Sequence, residues 1–156
     1  MNDAEFVAQF EDGTLPAEKF HHRDHIRMVW LYLSRYPLLD TLEKFSAALR
    51  RFAGAHGKPD LYHQTITWSY LFLINERRER LGANQDWQTF VEANSDLFEW
   101  NDGGILAQYY RPETLQSEFA RKVFVLPDRS GQAVTSATHP PDGRGPSVRR
   151  VTTQIQ

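Results

Sequence analysis

The stretch that most constrains this chain is FHHRDHIRMVWLYL, Phe20 to Leu33. Three imidazoles crowd the first turn of a segment that then becomes apolar. At 3.6 residues per turn, His22, His25, Ile26, Val29 and Leu33 share one helical face. A face that is mostly apolar must be buried, so His22 and His25 are predicted at the polar mouth of a buried stripe. A second stretch, YHQTITWSYLFLI from Tyr62 to Ile74, repeats the arrangement. There His63 lies above Thr67, Tyr70 and Ile74, with Gln64 beside it above Trp68 and Leu71. One helix is predicted between the two stretches. It reverses the chain twice, so in up-down-up packing both histidine-bearing helices start at the same end of the bundle.

The rest of the chain reads as all-α: a compact bundle of about five to seven helices with an irregular C-terminal tail. Asp3 to Phe10 forms a short helix with Phe6, Val7 and Phe10 on one side, stopped by Asp12-Gly13. The first long helix runs from His22 to Arg35, and Tyr36-Pro37 ends it. Asp40 is the predicted N-cap of the next helix, with Glu43 completing a capping box. That helix carries Leu42, Phe45, Leu49 and Phe52 and closes at His56-Gly57. The third runs from Leu61 to Leu81 with a stripe of Ile66, Tyr70, Leu73 and Ile74, and Gly82 closes it. Asp86 caps a helix burying Trp87, Phe90 and Val91. Asn94 to Asp102 is turn-rich, Ile105 to Tyr110 is a short helix, and Glu113 to Lys122 is a last one. Val123 to Leu126 then forms a short strand or an extended cover. The helical domain spans 1–128. Residues 129–156 are rich in Gly, Pro, Ser and Thr, have no aromatic residue, and read as a flexible or extended tail.

Composition narrows the function classes. The 156 residues contain no cysteine, which excludes disulfides, thiolate metal sites and a cysteine nucleophile. A net charge of -2 gives no basic balance for nucleic acid. No apolar run is long enough to span a bilayer, and the N-terminus lacks the pattern of a signal peptide. A cytoplasmic protein with a small-molecule substrate, and neither nucleic acid nor membrane as partner, is the expectation. Trp87, Phe98 and Trp100 suit a homodimer interface as well as a core.

Three neutral imidazoles make a first shell for zinc, iron or copper with positions left for water or substrate. His22, His25 and His63 are therefore the candidate ligands of a divalent transition metal. A zinc site would supply hydroxide for hydrolysis, and iron or copper would activate oxygen. Gln64 can orient a ligand or water but cannot titrate. Asp24 or Glu76 would have to supply any carboxylate. Tyr109, Tyr110 and Arg111 cluster in QYYRPETL, where phenols and a guanidinium can orient an acidic substrate. Arg27, a turn beyond the histidines, can bind an anion or pair with Asp24 or Asp60. Each residue has a plainer role as well: His21 and Asp24 as helix-start residues, Gln64 and Thr67 as N-terminal hydrogen-bonding groups, one tyrosine as core. No phosphate loop, nucleophile elbow or zincin motif is present.

Taken together, FHHRDHIRMVWLYL, LRRFAGAHGKPDLYHQTITWSYL and QYYRPETLQSEFARKVFVLPD resemble an uncharacterised family of small bacterial all-helical proteins. The resemblance covers roughly residues 1–128. In that pattern a His-x-x-His pair, here His22 and His25, precedes the first long helix, and a Tyr-His-Glu-Thr-Ile-Thr segment opens the third. This chain has Gln64 at the Glu position, which alters the metal affinity or activity of any site that uses the acid. The resemblance implies that the histidines belong together and supplies no reaction. Three functions follow as expectations: a metal-dependent enzyme, oxidising or hydrolysing a small polar or anionic molecule at the three-histidine site; a metal-free small-molecule-binding helical module; and a protein that engages a partner through its C-terminal tail.

Overall fold

The computed structural model describes residues 1–82 and 84–129, and the predicted tail, with His139, lies outside them. Every regular element among the described residues is helical, as the periodicity predicts. Helix α1 spans Asp3–Glu11, α2 His22–Arg35, α3 Leu38–Ala55, α4 Gln64–Leu81, α5 Trp87–Ala93, α6 Pro112–Leu115 and α7 Glu118–Lys122. Short 3-10 turns at Ala17–Lys19, Pro59–Leu61, Ser95–Phe98 and Asn101–Gln108 join them. None of these helices is long and apolar enough to cross a membrane.

The core is aromatic where α1, α2 and α3 meet. Phe10, fully buried, stacks on Phe45 with ring centroids 5.8 Å apart and meets the Tyr32 ring edge-on at 6.4 Å. Phe20, just ahead of α2, lies 5.0 Å from Phe10 and 4.9 Å from Phe52. Such tilted and edge-on pairs add to the burial itself. Helix α2 packs on both α3 and α4, and Arg78 of α4 donates from Nη1 to the Leu33 carbonyl at 2.9 Å. A cation thus closes the C-terminal end of α2, where the helix dipole favours one.

Another face of α4 holds the C-terminal strap, residues 112–128; its Trp68 and Phe72 rings pack on Phe124 at 5.6 and 5.8 Å, beside two hydroxyl side chains. Thr65 is fully buried; its Oγ1 lies 2.6 Å from the Ala120 carbonyl and 2.9 Å from that of Val123, and accepts the Val125 N–H at 3.1 Å. One turn on, Ser69 is 3.1 Å from the Tyr110 hydroxyl, which donates to the Val125 carbonyl at 2.7 Å. These bonds satisfy strap backbone that has no ladder of its own.

Several boundaries differ from the sequence reading. Helix α3 starts at Leu38 behind Pro37, so Asp40 lies in its first turn and caps nothing. A proline there presets the backbone for helix entry two residues before the polar signal. Helix α4 starts at Gln64 because His63 is its N-cap, and Leu61 belongs to a separate turn. The last predicted helix is split: Ser117 caps α7 by accepting the Ala120 N–H at 3.1 Å. Residues Val123 to Leu126 are an extended cover, not a strand.

Candidate functional site: a histidine-lined cavity

The two histidine-bearing helices do share a site. A cavity of about 750 Å³ lies between α2, α3 and α4. Its α2 wall is His22, His25, Ile26 and Val29, the face expected from spacing. Its α4 wall is Ile66, Thr67, Tyr70 and Ile74, with His63 at the start, again the expected face. Helix α3 contributes Phe45, Leu49, Phe52 and Ala53, and His56 just past its end. His21, Lys58 and Tyr62 complete the side where α2 and α4 begin, and Trp100 closes another.

The imidazoles differ in what they are already doing. His63 is fully committed: Nδ1 accepts the Ile66 N–H at 3.1 Å as an N-cap, and Nε2 donates to the Leu115 carbonyl at 2.7 Å. His56 donates from Nε2 to the Leu15 carbonyl at 2.9 Å. His22 donates from Nε2 to the Leu97 carbonyl at 2.8 Å, which leaves Nδ1 as its unprotonated nitrogen. Its ring sits 4.7 Å from Trp100 and 5.0 Å from Tyr70. His25 stacks on Phe20 at 4.0 Å, and neither of its ring nitrogens has a hydrogen-bond partner among the described residues. The residue is half-buried and lines the cavity.

Enclosure keeps these groups neutral. Burial, with the neighbouring His22 and His21 adding to it, pushes the His25 pKa down to about 4. Burial also lowers His22 and His63, with the Leu97 and Leu115 carbonyls opposing it. Burial raises the Tyr70 phenol to about 12, so it stays protonated. Tyr70 is 7% exposed, and its hydroxyl has no partner among the described residues. It sits tight against Gly104. A Cβ there would lie 2.8 Å from that hydroxyl and 2.6 Å from the Glu99 carbonyl, and Gly104 has a φ of 60°. Only glycine fits that backbone.

A three-histidine metal centre is not formed. Among the described residues no group of three or more His, Asp or Glu side chains could hold an ion. The physical reason lies in the donors: both His63 nitrogens are occupied, one by its own helix and one by the strap. The other sequence candidates do not line the cavity. Gln64 accepts from the Tyr62 hydroxyl at 2.5 Å and from Arg50 at 3.3 Å. Tyr110 is buried as a strap pin, and Tyr109 is on the surface. Arg27 pairs with Asp3 across α1 and lies over the Phe6 ring. Arg111 caps the short α6, its N–H bound to Asp128 at 2.9 Å. Trp87 packs against Trp30, Phe90 and Phe98.

Sequence reasoning missed His56, Tyr62, Lys58 and Trp100 as cavity residues. His56 and Lys58 flank Gly57 at the end of α3, and that turn at the mouth of the two histidine helices was the available signal. Comparison with family models, with curated proteins and with solved structures found no match to this chain.

Proposed function

We propose that the protein is a small-molecule-binding helical module, whose cavity between α2, α3 and α4 receives an organic ligand and hydrogen-bonds it through neutral imidazoles. The observation that carries this reading is His25. A neutral imidazole offers one donor and one acceptor. His25 lines a cavity of about 750 Å³, and neither of its ring nitrogens has a hydrogen-bond partner among the described residues. A ligand that supplies the complementary groups takes up that donor and acceptor in place of water. The volume is typical of small-molecule sites, as is an apolar wall with a few convergent polar groups. His25 and the free Nδ1 of His22 are the groups through which proton transfer to a bound ligand would run.

The test is occupancy by N-phenyl-1-naphthylamine, an uncharged dye that brightens in apolar surroundings. One equivalent should bind the wild-type protein. Ala53→Phe, which places a ring in the cavity, should abolish binding while circular dichroism and the melting curve confirm the fold. Dye that fails to bind wild type, or binds the filled variant equally well, would overturn the proposal.

A further inference from the structure

Among the described residues no aspartate or glutamate lines the cavity, and one lysine, Lys58, does. Among the described residues Lys58 forms no ion pair. It sits where α2 and α4 both begin, since His21, His22 and His63 at those two starts line the same cavity. Helix α4, with 18 residues, has no acidic residue in its first turn and is capped by His63; Glu118 and Arg121 of α7, of opposite charge, both act on that histidine. In α2 the first-turn Asp24 is spent on the His21 N–H at 3.0 Å. Asp60, on the turn beside Lys58, lies in the field of Arg121, which also donates to the Asp60 carbonyl. A second feature points independently to a ligand: the His25 imidazole, without a hydrogen-bond partner among the described residues, lines the same space.

We propose that the occupant is an organic anion: a monocarboxylate with an apolar body, its carboxylate at the mouth beside Lys58 and the start of α4, its body along α4 toward Ile74. This rests on the small-molecule reading above and names the ligand class. The wall from His63 to Ile74 covers eleven residues of rise, about 16 Å, which accommodates a ten-carbon chain. Phe45, Leu49 and Phe52 supply the apolar surface facing it. A cationic ligand finds no carboxylate among the lining residues. A neutral amphiphile leaves Lys58 without a counter-ion.

The experiment displaces N-phenyl-1-naphthylamine with decanoate, decan-1-ol or decylamine at low ionic strength, using wild type and Lys58→Met. Lys58 is exposed, so its replacement leaves the fold intact. A purely apolar cavity prefers the alcohol, because an ion is costlier to dehydrate. The proposal expects the reverse order: decanoate displaces at the lowest concentration and decylamine at the highest. Lys58→Met should weaken decanoate about fivefold, the size of a partly exposed charge pair, and leave decan-1-ol unchanged. Decan-1-ol equalling or beating decanoate in wild type, or Lys58→Met leaving decanoate unaffected, would overturn the anion assignment while the cavity still binds dye. Failure of the dye to bind wild type would remove the small-molecule reading and this inference with it.

Discussion

Acidification from pH 7.5 to pH 5 should destabilise the protein, and His25 alone should account for about 2 kcal/mol of the loss. In the folded state its pKa is about 4, against an ordinary value of 6.5. Between those values the unfolded chain binds a proton that the folded chain refuses. Stability is therefore full above the unfolded value, falls as the pH drops through it, and stops falling below the folded value. At pH 5 the unfolded imidazole is favoured by protonation roughly thirtyfold and the folded one hardly at all, and RT times that logarithm is about 2 kcal/mol. Most carboxylates of the unfolded chain are still ionised at that pH, so the window isolates histidines. The assay is urea unfolding followed by circular dichroism at pH 7.5, 6 and 5, with His25→Leu beside wild type. His22 and His63, also lowered, remain in both proteins and cancel in the comparison. Wild type should lose about 2 kcal/mol more than the variant, and the His25 ring proton should titrate well below the ordinary range by NMR. Equal losses would refute the enclosure of His25 and, with it, the main support for the binding site.

Two further perturbations test the surroundings of the cavity. Thr65→Val keeps the shape but strands the Val125 N–H and one strap carbonyl; about 2–3 kcal/mol should be lost, with faster tryptic cleavage at Arg121 and Lys122, and a change under about 0.5 kcal/mol would mean the strap is not held there. One equivalent of zinc should leave Tm unchanged, because His63 would first have to release Leu115 and Ile66. A Tm rise that saturates at one equivalent and disappears in His63→Ala would restore the three-histidine metal centre.

Both principal walls of the cavity are legible in residue spacing. His22, His25, Ile26 and Val29 share a face of α2, and His63, Thr67, Tyr70 and Ile74 a face of α4, because helical periodicity is a local property readable from spacing. The helical class is legible in the same way, and so is the end of α2 at Arg35, since Tyr36-Pro37 is a local stop. What the histidines can do depends on segments far along the chain. The nitrogens of His22 and His63 are set by the Leu97 and Leu115 carbonyls, 75 and 52 positions away, and no local pattern encodes such a partner. The placement of α3 decided that the space between the two faces is a cavity flanked by Phe45, Leu49 and Phe52, and it brought His56 and Lys58 to the mouth. Spacing along a chain fixes which side chains share a face. Which of their polar atoms remain free depends on carbonyls and rings delivered by distant segments.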